Sequence, residues 1–227
     1  MPDKYAYITG CLILFIIWVF IFVRRKDLQQ EMLLASLWGL PFGFIDYFLV
    51  PTYWHPDSLF GLMKKYGVGI ESFIFIFCVV GIASVLYEFL CKEKLSRLSH
   101  HGRPHYWLLI FIPILYIVLL IAFPTKAIYN LMIAGAIGSI ITGFLRKDLI
   151  KQILFTAFVF SLLYFLIFLF INFIFPGVVI HSYNLNNTWN ILILGIPLEE
   201  ILVAFFAGAF WSTIYEYTRS YREKKML

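Results

Sequence analysis

Gly67-Val68-Gly69-Ile70-Glu71-Ser72-Phe73, leading on to Tyr87-Glu88-Phe89, is written a second time 128 positions later as Gly195-Ile196-Pro197-Leu198-Glu199-Glu200-Ile201, leading on to Tyr215-Glu216-Tyr217. Phe77 and Phe205, and Ser84 and Ser212, match in the same register. An offset that keeps Gly, Glu, Phe, Ser and Tyr while the residues between them drift among apolar types marks a duplication. Carboxylates are costly in apolar sequence, so their presence in both copies points to them as functional groups.

The chain around the repeat is too apolar for water. Of its 227 residues, 62% are hydrophobic and only 14% charged, more apolar surface than a soluble core of this size can hide. Runs able to cross a hydrocarbon layer of about 30 Å lie at about Tyr7 to Val23, Met32 to Val50, Ile70 to Leu90, Trp107 to Phe123, Ala127 to Leu145 and Ile150 to Phe175. A seventh runs from either Trp189 or Pro197 to Thr218. Lipid offers no partner to an unpaired backbone group, so each run is predicted to be a helix. The first run has no basic stretch before it and no small-residue cleavage site after it, so it reads as a span and not as a signal peptide.

Basic residues sort by side. Arg24, Arg25 and Lys26, then Lys92, Lys94, Arg97 and Arg103, then Arg146, Lys147 and Lys151, then Arg219, Arg222, Lys224 and Lys225 fall on alternate connections. This bias predicts an outside N-terminus and a cytoplasmic C-terminus, and the expected location is a prokaryotic cytoplasmic membrane. The bias also explains the net charge of +5 without a nucleic-acid partner.

The duplication reaches further, because Arg25-Lys26-Asp27-Leu28 after span one returns as Arg146-Lys147-Asp148-Leu149 after span five. The expected fold is an all-α integral membrane protein of about seven transmembrane helices, arranged as two parallel three-helix repeats joined by a linking helix. The expected units are 1–104, the linking helix 105–124, and 125–227. Before the acids, Pro56 to Tyr66 reads as a short interfacial helix, with Asn190 to Leu194 as its counterpart.

Burial disfavours an ionised carboxylate, and a second acid one residue away adds like-charge repulsion. Glu199-Glu200 could therefore hold an acid beside a base. Pro197 suits a first helical position, which puts both acids in the first turn. Asp46, inside span two, reads either as a third acid of the site or as a group hydrogen-bonded to an outer-side tyrosine. Glu88 and Glu216 lie near the basic edge and are expected to pair with lysine or arginine. Tyr47, Tyr53, Trp54, Tyr183 and Trp189 suit an aromatic belt, or rings that stabilise a developing cation by about 0.5–2 kcal/mol each. Cys11, Cys78 and Cys91 show neither a disulfide framework nor metal spacing, and His100, His101 and His105 lack zinc-type partners. No phosphate loop or dinucleotide motif is present, and no metal or cofactor is expected.

Pro197-Leu198-Glu199-Glu200, the basic-Asp-Leu segments at Arg25 and Arg146, Pro51-Thr52-Tyr53-Trp54-His55-Pro56, and Ile70-Glu71-Ser72 with Tyr87-Glu88 together resemble the membrane lycopene cyclase domain family, the non-flavin cyclases. The resemblance implies proton-initiated cyclisation of the linear ends of lycopene, or a related polyene, to ionone rings. The enzyme would be an isomerase of carotenoid biosynthesis without net redox change. It implies Glu199 or Glu200 as proton donor, the other as base, and Glu71 as the equivalent or supporting acid, with Pro197, Asp46, Tyr53 and Trp54 against the substrate. The implied partners are an apolar carotenoid, the lipid bilayer and other carotenoid enzymes. Gly69 and Ser72 stand where the full motif has proline and a second acid, so only the second half carries a complete pair. The competing readings are a proton-coupled carrier, a carotenoid-binding protein and a glutamate-dependent intramembrane hydrolase.

Overall fold

Apolar runs become helices because a helix satisfies its own backbone, and the computed structural model, which describes residues 5–50, 52–97, 106–219 and 221–225, is mostly helix. The long helices are α1 (Ala6–Arg24), α2 (Gln29–Gly39), α3 (Ile70–Cys91), α4 (Trp107–Ala122), α5 (Ala127–Leu145), α6 (Ile150–Ile174) and α7 (Leu198–Trp211). Six stretches are long and apolar enough to cross a membrane: Ala6–Arg24, Lys26–Leu49, Ile70–Cys91, Pro124–Leu145, Lys147–Ile174 and Leu198–Arg219. The expected fourth span is shorter. α4 has 16 residues with Pro113 inside, about 24 Å of helix against a layer of about 30 Å. Of the two starts considered for the last span, the structure takes the later one.

Strand is present as well, in two short pairs. β1 (Glu93–Arg97) runs antiparallel to β4 (Tyr221–Lys225) and joins the ends of the two halves, while β2 (Leu192–Ile193) and β3 (Ile196–Pro197) form a hairpin. The hairpin replaces the helix expected over Asn190 to Leu194. Leu194 and Gly195 both take positive φ, at 51° and 83°, as a tight two-residue hairpin turn requires. Pro197 accordingly lies just before α7, in β3.

The α1 and α5 helices end alike. Each runs into a short 3-10 turn, Lys26–Leu28 or Lys147–Leu149. Arg25 holds Asp27 through Nε and Nη2 at 2.9 Å each, and Arg146 holds Asp148 at 2.9 and 2.7 Å. The guanidinium fork matches a carboxylate in this way, and the remaining Nη1 donates to the main-chain carbonyl of Glu88 or Glu216, at 2.7 and 3.4 Å. The halves differ in the second span. α2 gives way to a 3-10 stretch, Leu40–Ile45 with Pro41 near its start, and then to a short helix, Asp46–Leu49. Proline removes a helical donor. A Cβ at Gly39 would stand 2.7 Å from Val80, and one at Gly43 2.5 Å from Phe73, so these glycines let the backbone come close to α3. The corresponding α6 is unbroken over 25 residues.

The two glutamate-bearing stretches, Ile70–Cys91 and Leu198–Arg219, are each 61% buried, against 28% for Ala6–Arg24, and therefore form the centre of the bundle. At one end of this centre lies a polar knot. Glu88 and Glu216 are fully buried and both take hydrogen bonds from Gln152 Nε2, at 2.9 and 2.6 Å, while the same amide reaches the Ser212 carbonyl at 2.7 Å. The sequence reading expected lysine or arginine at these carboxylates; here Gln152 supplies their hydrogen bonds, and Arg25 and Arg146 donate to the backbone carbonyls of Glu88 and Glu216. Gln152 occupies the place of Glu31, 121 positions earlier, and oxygens of Glu31, Glu88 and Glu216 lie within 4.8 Å of one another. Oxygen ligands at this density would suit a hard cation, but an amide N–H donor reaching two of the three carboxylates occupies that ground. The knot is read as a hydrogen-bonded pin between the halves. Removing its donor strands buried acceptors at about 1–3 kcal/mol each, so Gln152→Ala should lower the thermal midpoint in detergent, by roughly 2–4 °C per kcal/mol, while Gln152→Asn should retain part of the stability.

Candidate active site

The loops that follow the second and sixth apolar stretches are sewn together. Trp54 pairs with Tyr183 as an isolated bridge, His55 N–H donates to the Ser182 carbonyl at 2.7 Å, and Asn184 N–H donates to the Tyr53 carbonyl at 2.8 Å. Beneath this seam lies a cavity of about 400 Å³, bounded by α1, the broken second span, α3, α4, α5, α6 and α7. That size falls within the usual range for a small-molecule site. Its walls are largely apolar and aromatic, and Asp46 and Glu200 are the carboxylates that line it.

Glu200 stands in the first turn of α7 and is 8% exposed. Oε1 accepts the Tyr53 hydroxyl at 2.8 Å and Oε2 the Tyr164 hydroxyl at 2.7 Å. Tyr183 brings a third phenol against the same carboxylate. Burial first, and the Glu200 charge second, push the Tyr53 and Tyr183 phenols well above their usual range, so both stay protonated and able to donate. Tyr53 and Tyr183 are buried, whereas Tyr47 and Trp189 are exposed by 61% and 52%. Only the latter two suit a belt.

Glu199 does not share this cavity. Successive residues on a helix point about 100° apart, and Glu199 accepts the Tyr129 hydroxyl at 2.9 Å and the Trp189 backbone N–H at 2.6 Å. Glu71, its counterpart at the same offset, accepts the Leu59 backbone N–H. Both are fully buried, and each fastens the loop that precedes its own helix. Their pairing in sequence is thus matched by a common structural task, while Glu200 alone of the three faces the cavity.

Asp46 opens the short helix after the 3-10 stretch, and its Oδ2 accepts the Tyr7 hydroxyl at 3.1 Å. Trp54 lines the cavity beside it. Pro197 is buried and sets the start of α7 without lining the cavity. Sequence reasoning missed Tyr7 and Tyr164, which sit as single polar groups in apolar stretches; a tyrosine at that depth was the available signal, and Ser72, noted only as the residue in place of a second acid, also lines the cavity. Rings gather around the acids, with Tyr7 and Trp54 centroids 4.8 Å apart, Tyr53 and Tyr183 5.4 Å, and Phe75 and Tyr164 6.1 Å. Such faces favour a cation held among them. Cys11 and Cys78 are buried and unlinked, and His100, His101 and His105 lie outside the described residues.

The loop-fastening role predicts that Glu71→Ala or Glu199→Ala leaves a loop N–H without its partner, at about 1–3 kcal/mol. Limited proteolysis should then cut within 55–66 or 183–195 faster than in the wild type, with Glu200→Gln as the control that leaves both loops protected.

Comparison with known proteins places these features. A family model described as lycopene cyclase matches the chain in two segments, residues 4–90 and 126–218. No match was found among curated proteins or solved structures. The two matched segments cover well over half of the chain and hold both copies of the glutamate motif, and on that ground this protein belongs to the lycopene cyclase family.

Proposed function

We propose that this chain cyclises the linear ends of lycopene, or a closely related polyene, to ionone rings by proton addition and proton loss, as an isomerase without net redox change. The observation that carries this reading is a buried carboxylate, Glu200, held by phenols at the wall of an apolar, ring-lined cavity. A polyene end is apolar and fits such a space. Once protonated it becomes a carbocation, which needs aromatic faces and a fixed negative charge nearby, and needs water kept away. The phenols keep Glu200 oriented, and the sewn outer loops roof the site. Glu199 and Glu71 support the reaction by fastening those loops.

The same reading takes the protein as a membrane protein with its N-terminus outside and its C-terminus in the cytoplasm, α4 as the linking span and the two halves entering in the same direction. What supports it is the sorting of basic residues and the way corresponding ends meet, outer loop to outer loop at Trp54 and Tyr183, and Glu88 to Glu216 at Gln152.

Expression in cells that accumulate lycopene, with the extracted pigments resolved chromatographically, should yield cyclic carotenoids. Glu200→Gln should lower that yield by about 10²–10⁴-fold, the usual contribution of a positioned acid or base. Unchanged lycopene beside folded wild-type protein would count against the reading, and proton-dependent uptake of a solute into vesicles would favour a carrier.

A further inference from the structure

We infer that Asp46 is the proton donor of this cavity and Glu200 the base, an assignment that rests on the cyclase reading above. Each half contributes one acid, although by different routes. Ser72 stands 128 positions before Glu200, in the place where the first copy lacks its second acid. It lines the same cavity, and its hydroxyl reaches Asp46. The missing carboxylate is thus replaced by one from the neighbouring span, set at the cavity wall by the break at Leu40–Ile45. That break has no counterpart in α6, as expected of a feature that places an acid needed once.

Hydrogen bonding separates the roles. Glu200 receives phenols on both oxygens, at 2.8 and 2.7 Å, which sets both oxygens as acceptors. A group so held is ready to accept a proton. Asp46 receives one phenol, at a longer 3.1 Å, together with the Ser72 hydroxyl. Beside it the buried indole Nε1 of Trp54 lies against the same carboxyl, short of a fully formed hydrogen bond. A loose N–H contact to a carboxyl tightens when that carboxyl becomes an anion, an interaction stronger after proton transfer than before it.

The step balances. The Asp46 O–H bond breaks and a C–H bond forms at the less substituted carbon of the terminal alkene, leaving the positive charge on the tertiary carbon. The π pair of the next alkene within reach closes the ring with a C–C bond and moves the charge to its far carbon. Glu200 then takes an adjacent proton, and that C–H pair becomes the ring double bond. One proton has entered and one has left, and exchange with solvent returns the acids to their starting forms.

The test compares wild type, Asp46→Asn, Trp54→Phe and Glu200→Gln for lycopene consumed and products formed. Asp46→Asn should slow consumption by at least ~100-fold and leave only the linear polyene. Glu200→Gln should divert its residual product to rings with a displaced double bond or an added hydroxyl, because the cation then loses a different proton or captures water. Trp54→Phe should slow consumption about 10-fold with the normal ring. Consumption by Asp46→Asn within about threefold of wild type, or diverted products from Asp46→Asn in place of Glu200→Gln, would overturn the assignment. Where Asp46→Asn does not fold, Trp54→Phe decides, and an unchanged rate there overturns it. A folded wild type that consumes no polyene sinks the cyclase reading itself, and this outcome is seen before any variant is compared.

Discussion

A carboxylate inside an apolar bundle must find its donors in the protein, and that requirement organises this molecule. Five buried glutamates answer it with neutral partners: phenols at Glu200, a loop backbone N–H at Glu71, a loop backbone N–H and a phenol at Glu199, and the Gln152 amide at Glu88 and Glu216. Neutral donors satisfy lone pairs without bringing a second charge out of water, which spares the desolvation that a buried ion pair would add. The ion pairs that are seen, Arg25 with Asp27 and Arg146 with Asp148, sit at the helix ends, with a third or so of each aspartate side chain still exposed.

The consequence is a bundle tied at both ends. The Gln152 knot joins the halves at one end, and two loops are stitched across the other by backbone bonds between the Tyr53 and Tyr183 regions. Between the ties lies the cavity, whose volume does not depend on a single helix. A site that must exclude water and hold a short-lived cation benefits from walls that cannot drift, because preorganised dipoles stabilise charge without reorganising when it forms.

Duplication supplied two similar halves, and divergence made them unequal. Identical turn chemistry at Arg25 and Arg146 persists, since it serves the helix ends in both. Position 72 holds serine where position 200 holds glutamate, position 31 holds glutamate where position 152 holds glutamine, and only the second span is broken by proline and glycine. A frame built from repeated sequence therefore encloses an asymmetric site, with different acids and different donors on its two sides.

Much of the frame was legible in the chain itself. The 128-residue offset marked the central helices, the apolar runs gave the long helices, and Arg-x-Asp marked the turns, because these depend on local composition and spacing alone. The motif also singled out Glu200. Several features were settled only by tertiary packing. The sequence places Glu199 and Glu200 side by side, yet a 100° step along the helix sends one to the cavity and the other to a loop. The same spacing left Asp46 undecided until the broken second span set it at the cavity wall. Glu88 and Glu216, expected at a basic edge, meet each other through Gln152, a residue whose importance no local pattern announces. Periodicity specifies which residues share a helix; which groups from different helices share a hydrogen bond is fixed only when the bundle closes and each buried polar atom must find a partner.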